Sequence, residues 1–189
     1  LEAYAIQTQV PIIRKEMQSF MRTMLLMNKP KRILEVGTAI GFSALLMSEF
    51  MPQDGHITTI ENYEKRIPIA RANFQKYGKE DRITLLEGDA AEVLKTLEGP
   101  YDFIFMDAAK GQYIHYLPQI MRILTPGGVL ISDNVMQDGD IIESKYAVTR
   151  RDRTIHRRMR EYLYTLTHHE ELQTSILTLG DGVAVSVRK

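Results

Sequence analysis

The stretch "LEVGTAIGFSALLM", Leu34–Met47, decides how the rest of the chain is read. A short apolar run passes through a glycine-bracketed turn directly into a helix candidate, which is how a βα unit begins. Gly37 and Gly41 allow the backbone to approach a ligand closely, and the helix start offers unpaired N–H groups. The spacing is E-x-G-x-x-x-G-x-S, through Glu35, Gly37, Gly41 and Ser43, and it is not the dinucleotide fingerprint G-x-G-x-x-G. Without the middle glycine, the turn is poorly suited to a pyrophosphate, which must lie against the backbone.

Outward from this unit the same alternation repeats. Strand candidates are "RILEVG" (32–37), "HITTIE" (56–61), "ITLLEG" (83–88), "YDFIFMD" (101–107) and "GVLISDN" (128–134). Helix candidates lie near 42–51, 63–77, 90–97, 112–124 and 149–168, and Pro126-Gly127-Gly128 reads as a turn delivering the chain into the fifth strand. The tail "LQTSILTLGDGVAVSVRK" reads as a hairpin joined at Gly180-Asp181-Gly182. Five βα units and a closing hairpin predict an α/β fold of Rossmann-like type. Its seven-stranded, mostly parallel sheet carries helices on both faces, and the last strand inserts antiparallel. One domain over 1–189 is expected, with 1–28 as an amino-terminal helical segment; residues are expected to precede Leu1, which is not a methionine.

The 189 residues carry 24 basic and 24 acidic side chains, so overall charge favours no partner. The absence of cysteine excludes thiolate nucleophiles and cysteine metal sites. No apolar run approaches the roughly 20 residues that span a bilayer. No signal-peptide profile opens the sequence, so a cytoplasmic chain without membrane attachment is expected.

Acids recur at successive strand ends, on the edge where α/β sheets bind ligands. Glu61 ends the second strand, where a carboxylate can accept hydrogen bonds from both ribose hydroxyls, and Asp89 with the Ala90 backbone follows the third, in position to face an adenine. An adenosine site without pyrophosphate recognition points to S-adenosylmethionine rather than NAD. The competing reading makes Glu35, Glu61 and Asp89 strand-end polar residues and helix caps.

Asp107 ends the fourth strand, and Asp133-Asn134 the fifth. Neighbouring parallel strands would bring two carboxylates and one amide oxygen together, an all-oxygen set suited to Mg²⁺ and unsuited to zinc. Lys110, three residues past Asp107, is the candidate general base, since an amine among cationic groups gives up its proton more readily. The competing readings are turn-forming Asx residues and a solvated lysine.

These stretches, with "EGDAAEVL" and "FIFMDAAKGQY", resemble the metal-dependent class I O-methyltransferases, which include the catechol and caffeoyl-CoA enzymes. The resemblance covers nearly the whole chain in order, and its D-x-x-K-x-x-Y and D-N elements are specific. It implies methionine-moiety contacts from Gly37, Thr38 and Ser43, ribose contacts from Glu61, and adenine contacts near Asp89 and Ala90. It implies metal ligation by Asp107, Asp133 and Asn134, with Lys110 as base; Asp107 is assigned to the cofactor set as well. Where the catechol enzyme has bulky residues, including a tryptophan, this chain has Ala108 and Ala109, which predicts a more open acceptor pocket.

Within the family, "GTAIGFSA", "DAAKGQY" and "GDGVAVS" look most like the bacterial tRNA 5-hydroxyuridine methyltransferases. That acceptor places a 5-hydroxyl beside O4, two oxygens that one cation can chelate. The run "KYAVTRRDRTIHRRMR" adds Lys145, Arg150, Arg151, Arg153, Arg157, Arg158 and Arg160 against Asp152, a local basic patch suited to phosphates. A solvated amphipathic helix is the competing reading. Small catechol-like phenols are the alternative acceptor, and a nucleotide-binding module without catalysis the alternative class. A homodimer is implied by family analogy. His168-His169 reads as a helix terminus, and Tyr113 reads equally as pocket lining or packing.

Overall fold

Strand β1 (Arg32–Val36) forms because its residues after Arg32 are all buried, a run that only a sheet covered on both faces accommodates. It belongs to a computed structural model that describes residues 1–8, 10–136 and 153–189. The chain divides into two compact units, Leu1–Thr96 and Leu97–Lys189.

The first unit contains α1 (Glu2–Thr8), α2 (Lys15–Asn28), β1, α3 (Phe42–Phe50), β2 (His56–Glu61), α4 (Ile67–Lys76), β3 (Ile83–Glu87) and α5 (Ala90–Thr96). Helix α2 buries Met17, Gln18, Met21 and Leu25, a stripe at helical spacing. It ends where Lys29 turns left-handed (φ 48°) and donates its N–H to Leu25 O. Strands β1 and β2 pair in parallel, as do β2 and β3, whose register ends at Glu61 opposite Glu87.

The second unit contains β4 (Tyr101–Met106), a 3-10 turn at Lys110–Gln112, α6 (Tyr113–Ile123), β5 (Leu124–Asp133), α7 (Arg153–His168), β6 (Leu172–Leu177) and β7 (Val183–Arg188). Strand β4 runs parallel to β5, and β7 lies antiparallel to both β5 and β6. The seven strands follow the order β3-β2-β1-β4-β5-β7-β6, the mixed sheet with an antiparallel insertion that the closing hairpin predicts. Helix α7 buries His156, Met159, Tyr162 and Leu166 and leaves Arg153, Arg157, Arg160 and Glu161 exposed.

Two predicted boundaries move for identifiable reasons. Helix α4 starts at Ile67 rather than 63, because the Glu61 carboxylate captures the Asn62 and Tyr63 amides in a turn and Pro68 sits in the helix's first turn. Strand β5 starts at Leu124 rather than Gly128: Tyr101 pairs with Leu124 and Phe103 with Val129, so Pro126-Gly127-Gly128 is an irregularity inside the strand. The predicted helix over 149–168 is described from Arg153 onward; Lys145, Arg150, Arg151 and Asp152 lie outside the described residues. Among the described residues, no helix is long and apolar enough to cross a membrane.

Candidate active site

In the first unit, the loop after β1 is tied down mostly through its own backbone. The amides of Gly37 and Thr38 both donate to Ile60 O on β2, and Gly41 N donates to Thr38 O. Gly41 opens α3 at φ 82°, and a Cβ there would stand 2.5 Å from Cε1 of Phe74, so the position demands glycine twice over. Ala39 also takes a positive φ of 48°. Its N–H points at the Glu61 carboxylate and donates to Oε2 at 2.7 Å. Oε1 of Glu61 accepts from Asn62 N and Tyr63 N at 3.0 and 2.9 Å. The acid expected at the ribose therefore also fastens the glycine loop to the end of β2.

Glu35 is fully buried, and its Oε2 accepts the Thr59 hydroxyl at 2.5 Å. With that hydrogen committed, the 2.6 Å contact between Thr38 and Thr59 runs from the Thr38 hydroxyl to Thr59 Oγ1. The chain Thr38–Thr59–Glu35 directs Thr38's side chain inward, leaving its backbone as the part that faces the loop. Ser43 is nearly buried in the first turn of α3. Gly88 N donates to Glu61 O, which ties the end of β3 to the same acid. Beyond it, exposed Asp89 accepts Ala91 N at 2.8 Å and caps α5, with Ala90 as its first residue. Glu61, Gly37, Thr38 and Gly41 thus belong to one hydrogen-bonded network. Thr59 escapes a reading by strand ends because it lies inside its strand; only its register opposite Glu35 marks it.

In the second unit, the β4–β5 register ends at Met106 opposite Ser132, which brings Asp107 and Asp133 to adjacent places one residue further on. Asn134 turns left-handed there (φ 59°), a conformation asparagine tolerates, and its Nδ2 donates to Asp107 Oδ1 at 3.1 Å. Its backbone N–H donates to Asp133 Oδ1 at 2.8 Å. Burial pushes the Asp107 carboxyl up, against the pull of Asn134 and of the Lys110 charge. Burial first, and then the Asp107 charge, pushes Asp133 up to about 7; Asp181 adds to the rise, while the Asn134 amide and Lys110 oppose it. Asp181 reaches this neighbourhood because its carbonyl accepts Met136 N, folding the β6–β7 turn onto the segment after β5.

Lys110 opens the 3-10 turn, and Ala109 before it is exposed. Tyr113 resolves neither as pocket lining nor as mere packing. It is fully buried; its hydroxyl accepts Ala108 N at 3.1 Å and shares its hydrogen between Met106 O (3.2 Å) and Asp133 O (3.3 Å). Burial raises it well above the usual tyrosine range, so it stays a donor. Its ring meets Tyr162 edge-on at 5.5 Å, and the Tyr162 hydroxyl lies 2.6 Å from Ser132 Oγ.

Arg158 is drawn inward, where Nη1 donates to Gly111 O at 3.2 Å and holds the Lys110 turn. Arg153, Arg157 and Arg160 remain exposed, and Arg157 lies 3.8 Å from Glu161. Arg150 and Arg151 fall outside the described residues. His168 stacks on Tyr164 at the end of α7. Among the described residues, no group of three or more His, Cys, Asp or Glu side chains gathers as a metal site; the Asp107–Asp133–Asn134 set has two acids and an amide.

A glycine loop ahead of α3 and acids at or just beyond the ends of β2, β4 and β5 gather on the carboxyl ends of the strands. Residues 3–189 match the O-methyltransferase family, and the chain belongs to it. It is 31% identical over 128 residues to a catechol O-methyltransferase of Niastella koreensis, an alignment covering 66% of this chain and 58% of that one. The chain thus spans under three-fifths of that relative's length. A Staphylococcus aureus structure assigned to the caffeoyl-CoA O-methyltransferases superposes with a TM-score of 0.93 at 31% identity, covering 100% of this chain and 90% of that one. An SAH-bound methyltransferase of Podospora anserina gives 0.86 at 32% identity, covering 97% and 84%.

Proposed function

We propose that the chain transfers a methyl group from S-adenosylmethionine to a hydroxyl oxygen that has a second oxygen beside it, with Mg²⁺ or another hard divalent cation held by Asp107, Asp133 and Asn134. The observation that carries this reading is the conflict at the strand ends, where half-buried Asp107 stands beside buried Asp133 and Asp133 is pushed up to about 7. A cation relieves that conflict, and a set of three oxygen-bearing side chains suits a hard one, which takes its remaining oxygens from water or substrate. When bound, such a cation favours the ionised form of a hydroxyl and holds two neighbouring oxygens.

The chain's own residues do the rest. Glu61 receives the ribose hydroxyls, Asp89 and Ala90 the adenine, and the backbone of Gly37 and Thr38 with Ser43 the methionine moiety. Lys110 Nζ takes the proton of the acceptor hydroxyl. The hydroxyl oxygen forms a bond to the methyl carbon as the S–CH3 bond breaks, and S-adenosylhomocysteine leaves with the electron pair on sulfur. Holding nucleophile and methyl in line accounts for much of the rate. The SAH-bound neighbour supports the cofactor.

The names of the relatives support a small catechol-like or phenolic acceptor. A second reading, 5-hydroxyuridine at the tRNA wobble position, is supported by the alanines at 108 and 109, which leave room for a larger acceptor. Exposed Arg153, Arg157 and Arg160 add a basic face. Labelled S-adenosylmethionine, offered with caffeoyl-type phenols and with tRNA carrying 5-hydroxyuridine, separates the two. Label in phenol supports the first reading and label in tRNA the second. Label in neither, with the cation present, contradicts the proposal.

A further inference from the structure

We propose that Tyr113 is the positioning residue of the acid pair: its hydroxyl fixes the backbone on which Asp107 and Asp133 stand, at the spacing a shared divalent cation needs. The inference rests on the metal reading above and concerns how this chain builds that site.

The β4–β5 ladder stops at Met106 and Ser132. Beyond that pair, Asp107 and Asp133 are no longer register partners in the ladder. Tyr113 takes over at this point. All three of its partners are main-chain atoms: Met106 O just before the first acid, Ala108 N just after it, and Asp133 O on the second acid itself. One phenol oxygen therefore brackets Asp107 from both sides and ties it to Asp133. The bonds reach the backbone and leave the carboxylates free for a ligand. The ring is fully buried and held edge-on by Tyr162, so the hydroxyl cannot swing away. Asn134 links the two acids at their carboxylate oxygens, donating Nδ2 to Asp107 Oδ1 and its backbone N–H to Asp133 Oδ1, but those oxygens are the ones a cation would recruit. A tie that survives ligand binding has to come from elsewhere, and Tyr113 supplies it.

Tyr113→Phe tests this cleanly, because the ring volume stays and only the hydroxyl goes. Tyr162→Phe is the matched control: it too removes a buried phenol hydroxyl, one bonded to Ser132. Mn²⁺ is titrated into each metal-free protein, with free Mn²⁺ followed by its electron paramagnetic resonance signal. Thermal melting and S-adenosylmethionine affinity report folding. Tyr113→Phe is expected to bind Mn²⁺ about 10–100-fold more weakly, the range seen when a residue supporting metal ligands is lost. Tyr162→Phe should bind it as the parent does, and both variants should keep their cofactor affinity.

Parent-like Mn²⁺ affinity in Tyr113→Phe, or an equal loss in Tyr162→Phe, overturns the positioning role while leaving the metal reading intact. A parent that takes up no Mn²⁺ contradicts the metal reading, and this inference with it. The unaltered protein offers an independent check. The Ala108 amide hydrogen should exchange slowly with solvent, and fast exchange would show that the tie to Tyr113 is not made.

Discussion

Asp133 meets two costs at once, since it is covered by protein and faces Asp107. Its folded pKa of about 7 stands above the unfolded value of roughly 3.9, so between those values the folded chain binds more protons than the unfolded one. The stability this acid contributes is present in full below pH of about 4 and is lost as pH rises through 7. Asp107 is shifted in the same direction, Asp181 adds to the effect on Asp133, and Lys110 opposes it. Melting curves of the metal-free protein should therefore fall from pH 5 to pH 8. Asp133→Asn should recover several degrees at pH 8, about 1 kcal/mol moving a chain of this size by roughly 2–4 °C. A variant that melts with the parent across that range would remove the conflict from the site. At Lys110, replacement by Ala should cut turnover by roughly 100- to 10,000-fold, the usual worth of a positioned base. Binding calorimetry should find S-adenosylmethionine affinity unchanged; unchanged turnover would remove Lys110 as base. The acids were legible in the sequence because a strand-end position is written in the chain itself. Tyr113 was marked as pocket lining or packing, but its tie to both acids was not legible, because its partners are main-chain atoms brought together by strand register, which residue identity does not encode.

Elements carry the next layer. The loop between β1 and α3 works because α3 starts on a glycine pressed against Phe74. Gly41→Ala should cost about 1–3 kcal/mol through strained backbone and a displaced ring. Cofactor affinity should fall along with thermal stability; an alanine variant that binds S-adenosylmethionine as the parent does would show that the loop has slack. Helix α7 shows where composition misleads. Read as a run, its arginines form one patch; read on the helix, Arg158 turns toward Gly111 and holds the turn that carries Lys110. Arg158→Met keeps much of the side chain's packing and loses that hydrogen bond, so turnover should drop without loss of cofactor binding. Arg153→Glu with Arg160→Glu should leave methylation of a small phenol unchanged and weaken tRNA binding with a shallower salt dependence. Binding insensitive to both substitutions would leave the tRNA reading without its basic face. The strand and helix candidates were legible from alternation of apolar runs. Their ends moved where a side chain or a glycine pair acted locally, as Glu61 does before α4 and Pro126-Gly127-Gly128 do within β5.

For the whole molecule, the residues proposed for the cofactor lie mainly in Leu1–Thr96, and those proposed for cation and acceptor lie in Leu97–Lys189. Replacing Asp133, which is assigned to the cation alone, should leave cofactor binding in place, and a loss of both together would contradict that separation. The family and the sheet were legible in the order of motifs, whereas the acceptor was not, since its pocket depends on what surrounds Ala108 and Ala109. The central claim, cation-dependent methyl transfer to oxygen, is tested most directly by the protein dialysed against excess EDTA and given labelled S-adenosylmethionine with an acceptor bearing adjacent oxygens. No labelled product should form until Mg²⁺ is restored in excess over the chelator, and transfer should then return. Full transfer in the presence of the chelator would contradict it.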